Sequence, residues 1–132
     1  MKNLITAVAS LILLSVFLIQ FTTNQVVHNE IIFAENALYN FVQDIKQEGC
    51  VTEDLKTGLT EELKEILGDD VVITFNAGNT YVRKKRGEFI EYSVTYQVKN
   101  VIGASNLLNI SDEENVATRT YEGKTASEYV EY

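Results

Sequence analysis

Between Asn3 and Val27 the chain carries no charged side chain, it contains no proline at all, and its first glycine is Gly49. Proline and glycine are the residues that most readily kink or stop a helix. Nothing local therefore interrupts a helix that starts at Lys2 until the late forties. Leu4 to Phe21, 18 residues, is long enough to cross a bilayer at about 1.5 Å per residue. Three readings are open for such a start: a cleaved signal, a membrane anchor, or the apolar half of one long rod. Lys2 supplies the basic residue of a secretory signal. No small-x-small cleavage site follows the apolar stretch, however, because Phe21-Thr22-Thr23-Asn24-Gln25 lacks one and Ala7-Val8-Ala9 comes too early. Cleavage near residue 25 would leave a shorter amphipathic helix, and the residues allow that outcome too.

Helical spacing continues past the apolar stretch without a break. Val27, Ile31, Ala34, Leu38, Phe41 and Ile45 recur at intervals of four and three. This stripe, widened by Val42, is the expected contact with the chain's own folded head. Asn29, Glu30, Glu35, Asn36, Asn40, Gln43, Asp44 and Lys46 form the polar face. A second apolar set, Ile32, Phe33, Ala37 and Tyr39, lies to the side and is expected to meet something else. Residues 2 to 48 read as one helix of about 70 Å, ended by Gly49.

Beyond Gly49, Thr52 precedes EDLKTGLTEELKEILG, with Leu55, Leu59, Leu63, Ile66 and Leu67 on one face and Gly68 after it. This predicts a short capped helix, with Gly58 leaving open a loop over its first turns. The period then changes to two. Strands are expected at Val71 to Asn76, at Thr80 to Lys85 through a Lys85-Arg86-Gly87 turn, at Glu88 to Lys99, and at Glu114 to Glu122, with a turn at Ala77-Gly78-Asn79. In the third of these, Ile90, Tyr92, Val94, Tyr96 and Val98 alternate with Glu91, Ser93, Thr95 and Gln97, which fixes the buried face. Val101 to Ile110 reads as a loop or helical turn tucked under the sheet edge. The tail from Lys124 to Tyr132 reads as an edge strand or a segment lying over a neighbour. The expected fold is α+β: a long N-terminal helix, apolar then amphipathic, a short second helix, and an antiparallel sheet of about four strands on the second half of the long helix. The expected division is residues 1–25, the apolar half, and residues 26–132, the head.

Composition narrows the function classes. A net charge of −8 argues against nucleic acid, whose phosphates need a basic surface. His28 and Cys50, the only residues of their kinds, lie about 33 Å apart if the helix is continuous, so they form no catalytic pair. Asp69-Asp70 and the Ser111 to Asn115 run lack ion-loop spacing and read as solvated loops. No enzyme activity, metal, cofactor or small-molecule substrate is expected. Arg83, Lys84, Lys85 and Arg86 are four of eleven basic residues. They read as a charged hairpin tip or, in an acidic protein, as a docking patch for an identical subunit.

A charge-poor N-terminal helix running straight into an amphipathic half capped by an antiparallel sheet resembles the type IV pilin superfamily, over the architecture of the whole chain and at residue level over Met1 to Gly49. Met1 resembles the first residue of some mature pilins. Ile5 stands where the family usually has glutamate, and the proline common near the end of the apolar half is missing. With no leader ahead of Met1 in this sequence, the resemblance implies either trimming or no processing. It further implies membrane insertion followed by polymerisation into a cell-surface filament, with copies of the chain as partners and a core of Leu4, Ile5, Val8, Leu11, Ile12, Leu14, Val16, Phe17, Leu18 and Phe21. Because no carboxylate precedes Glu30, the charges of Met1 and Lys2 would need polar or acidic partners on neighbouring helices. Met1, Lys2 and Arg83 to Arg86 are thus the expected inter-subunit contacts. The competing expectation is a single-span, membrane-anchored accessory or binding protein.

Overall fold

Forty-seven residues wind into a single helix, α1 (Lys2–Glu48), as the lack of helix breakers requires. The computed structural model describes residues 1–75 and 82–130. α1 ends where Gly49 takes a left-handed conformation, φ 77°, and its N–H bonds the Ile45 carbonyl at 2.8 Å. A side chain at Gly49 would also stand 2.7 Å from the Lys84 carbonyl oxygen and 2.9 Å from Tyr129 Cβ. Both conformation and space therefore demand glycine. Helix α2 (Glu53–Leu67) follows, capped by Thr52, whose hydroxyl accepts from the Leu55 N–H at 3.2 Å, and it runs through Gly58 unbroken. Leu59, Leu63 and Leu67 are its buried face.

The sheet among the described residues is antiparallel and three-stranded, in the order β1 (Ile73–Phe75), β2 (Phe89–Lys99), β3 (Val116–Ala126). In β2 the alternation holds: Ile90, Val94, Tyr96 and Val98 are buried and Tyr92 packs against the core. Those residues meet Ala34, Ala37, Leu38, Phe41 and Ile45 of α1 and the leucines of α2 in one core, with Val27 and Ile31 half-buried at its lower edge. Phe41 and Phe75 meet edge to face, 6.0 Å between ring centres.

Several expectations are corrected. Ala37 belongs to the core, leaving Ile32, Phe33 and Tyr39 as the exposed side set. Val82 to Lys85 form no strand, because their backbone donors are taken elsewhere: the Lys84 N–H bonds the Gly49 carbonyl at 2.8 Å and the Lys85 N–H bonds the Glu88 carboxylate at 2.8 Å, while the Arg83 side chain reaches the Glu48 carbonyl through Nε at 3.1 Å. The expected turn at Ala77-Gly78-Asn79, with Thr80 and Tyr81, lies outside the described residues. The last strand starts later and runs longer than expected. Ser111 to Glu114 are held in a turn by the Glu114 and Asn115 N–H groups on the Ser111 carbonyl, and pairing with β2 then extends to Phe89 opposite Ala126. Of the tail, Lys124 to Ala126 continue β3, an edge of the sheet, and residues 127–130 fold back on their own chain, with Ser127 buried between Lys84, Gly87 and Glu88, and Glu128 N–H on the Lys46 carbonyl at 2.8 Å.

Candidate assembly and membrane surface

α1 divides into a bare half and a covered half. Leu4, Ile5, Val8, Leu11, Ile12, Leu14, Phe17, Leu18 and Phe21 are all exposed, Val16 is half-buried, and none of the most apolar 18-residue window is covered by the chain itself. This one helix is long and apolar enough to cross a membrane. Four of its five serine and threonine hydroxyls are already satisfied: Thr6, Ser10, Ser15 and Thr22 donate to the carbonyls of Lys2, Thr6, Leu11 and Leu18 at 2.8–3.0 Å. Hydroxyls bonded four residues back can enter an environment without water at little cost. Sequence reading passed over these residues, although their spacing to the helical carbonyls was available.

The bare half ends at Gln20. Its Nε2 donates to the Val101 carbonyl at 3.0 Å and to Asn24 Oδ1 at 2.8 Å, while its Oε1 accepts the Gly103 N–H at 3.2 Å. The loop from Asn100 to Ile110 is thereby fastened to α1 on one side, as it is to the start of β3 on the other. At Gly103 it approaches so closely that a side chain would collide with Thr23 Oγ1 and stand 2.8 Å from Ile19 Cγ2. Asn115, 1% exposed, locks the same loop from behind. Its Oδ1 accepts from the Ile102 N–H at 2.7 Å and its Nδ2 donates to the Ile102 carbonyl at 3.0 Å. Asn115 is therefore a buried clamp and not part of a solvated loop. Neither amide could be recognised beforehand, because each partner lies far along the chain.

Above Gln20 the core stripe of α1 is covered, while Val26, Ile32, Phe33 and Tyr39 stay exposed on either side of the polar face that carries Asn29, Asn36 and Asn40. Between α1 and residues 99–105 lies a cleft of 590 Å³, lined by Leu18, Ile19, Val26 and Glu30 among others. Partial burial there raises the Glu30 carboxyl above its ordinary pKa.

The strands run along α1, so the head has two distinct ends. At the end near Gly49, the Arg83 guanidinium stacks on the Tyr129 ring, 4.7 Å from its centre, and lies 3.9 Å from the Glu48 carboxylate. Lys84, Lys85 and Arg86 form no ion pair among the described residues. At the end near Gln20 stand the exposed acids Asp69, Asp70, Asp112, Glu113 and Glu114, beside exposed Val72, Leu107 and Leu108. Lys99 there is held by Asp70 at 2.5 Å, which lowers the Asp70 pKa. Met1 and Lys2 project at the far tip, exposed and without an ion pair among the described residues. His28 is exposed on α1 and Cys50 is buried, with the continuous helix between them. No cluster of three or more metal-ligating side chains occurs among the described residues.

No family model, curated protein or solved structure matches the chain.

Proposed function

We propose that the protein is a structural subunit of an extracellular type IV pilus-like filament, held in the membrane by α1 before assembly and polymerising through the apolar half of that helix. The observation that carries this reading is where the exposed apolar surface stops. A bilayer core of about 30 Å covers about 20 helical residues, which accounts for Leu4 to Phe21. It does not account for Ile32, Phe33 and Tyr39, which lie 11 to 18 residues further along and are 41%, 59% and 58% exposed. Lipid cannot reach them. Packing against other copies of α1 covers both stretches at once.

A second reading is a single-span anchored accessory or binding protein facing out of the cell. The Gln20 clamp favours it, because the free rod below the head, residues 2 to 19, is about 27 Å long, close to the thickness of a bilayer core. Lipid alone would then cover the bare half.

Negative-stain microscopy of the fraction sheared from cells, with mass spectrometry of the chain's N-terminus, separates the two. Filaments containing the chain with residues 1 to 25 intact support the subunit reading. A chain found only as a monomer in detergent extracts, with no sheared filaments, overturns it in favour of the anchor.

A further inference from the structure

We propose that successive copies stack parallel and head to tail, displaced by one head length, with the basic loop of one head against the acidic base of the next. The inference rests on the filament reading and specifies its contact. Lys84, Lys85 and Arg86 crown one end of the head without ion pairs, while Asp69, Asp112 and Glu113 at the other end also form none among the described residues. Asp70, Asp112 and Glu113 line one groove with Val72 and Val116, so the two acidic loops present a single surface. The basic end also has acids, but each is engaged: Glu48 with Arg83, Glu128 with Lys46, Glu88 with the Lys85 N–H, and Glu53 and Asp54 in the first turn of α2, where the helix dipole favours them. Unlike charges at opposite ends of one body give a heterologous contact, which repeats without closing and generates a fibre.

The displacement follows from the molecule rather than from a fit. The head covers α1 from Gln20, where Val101 and Gly103 are bonded, to Glu48, where Arg83 is bonded. Those 28 residues rise about 42 Å. A copy raised by that length, its α1 axis set aside by the usual 8–10 Å for packed helices, lowers its bare half along the open side of the helix beneath. Residue n of the upper copy then lies level with residue n + 28 of the lower one. Leu4, Ile5 and Leu11 come level with Ile32, Phe33 and Tyr39, the exposed apolar residues that the head leaves uncovered. One shift thus brings the bare half of one copy level with the exposed apolar set of the next and joins the two charged ends.

The test uses the full chain in its native membrane, with Cys50→Ala to remove the native thiol, and paired Arg86→Cys and Glu113→Cys substitutions. Oxidation is expected to give a ladder of dimers, trimers and higher multimers on a non-reducing gel, whereas either single cysteine gives at most dimers. Filaments without a ladder overturn the head-to-tail contact and leave the filament reading intact. Absence of both filaments and ladder overturns the filament reading and the contact with it. A second comparison guards against misfolding: Lys85→Glu with Arg86→Glu is expected to abolish polymer, and adding Asp112→Lys with Glu113→Lys to restore it. Failure of the four-residue exchange to restore polymer, in a chain of unchanged circular dichroism, also overturns the contact.

Discussion

Gln20 donates its side-chain amide to the carbonyl of Val101 at 3.0 Å, across 81 positions of sequence. That bond sets where the head stops along the rod and how much of α1 is left bare. Below it α1 is exposed apart from the turn at Ile19 that Gly103 approaches and half-buried Val16; above it the same helix is the backbone of the core.

Gln20→Leu is expected to release the loop from Asn100 to Ile110. The Val101 carbonyl and Gly103 N–H lose their partner, at a cost of about 1–3 kcal/mol if they stay shielded from water. Hydrogen exchange at Gly103 should accelerate while that of β2 at Val94 and Tyr96 is unchanged. Equal acceleration in both places would mean that the clamp supports the whole head instead of locating its base.

Asn115→Ala removes both hydrogen bonds to Ile102 from a fully buried position and is expected to destabilise the head by about 1–3 kcal/mol in denaturant unfolding. Asn115→Asp should be no better tolerated, since a carboxylate has no hydrogen to give the Ile102 carbonyl. An aspartate variant as stable as the native chain would refute the clamp.

Leu38 and Phe33 lie five positions apart on α1 and should behave oppositely. Leu38 is fully buried, so Leu38→Ala should cost about 2–5 kcal/mol through lost transfer energy and a cavity. Phe33 is 59% exposed, and Phe33→Ala should leave monomer stability within about 0.5 kcal/mol. The same Phe33 substitution should nonetheless reduce the yield of sheared filament. Normal filament yield would remove the argument drawn from the open apolar set.

Glu30 gives a pH dependence of definite sign. Burial raises its pKa in the folded state, so the native state binds a proton over a pH range in which the unfolded chain has already lost it. The contribution to stability is greatest below the unfolded carboxylate pKa and falls as pH rises through the folded one. Glu30→Gln should therefore raise the melting temperature at pH 7 and give no gain near pH 4. A substitution that lowers stability at pH 7 would mean that the carboxylate has a stabilising partner.

How much could be read beforehand depended on the distance over which each feature is decided. The caps of α2 at Thr52 and Gly68 are legible because a cap joins residues three or four positions apart. The buried face of β2 is legible because alternation is a property of one strand. Arg83 to Arg86 carry the bias of a hairpin tip, and their strand propensity lost to the unsatisfied carbonyls at the end of α1, a partner some 35 positions away. Ala37 escapes the periodicity for another reason: a small side chain weighs little in a hydrophobic pattern but is what lets two elements approach closely.

By itself the sequence determined the rod, because a chain without proline, without glycine before Gly49 and without charge from Asn3 to Val27 has no local alternative to a continuous helix. Only the tertiary structure decided how that rod is shared between head and surroundings. The deciding contacts, Gln20 with Val101, Asn115 with Ile102 and Lys84 with Gly49, pair polar groups from different elements. Such pairs are fixed by three-dimensional approach and the cost of leaving buried groups unbonded, and no spacing along a single element encodes them.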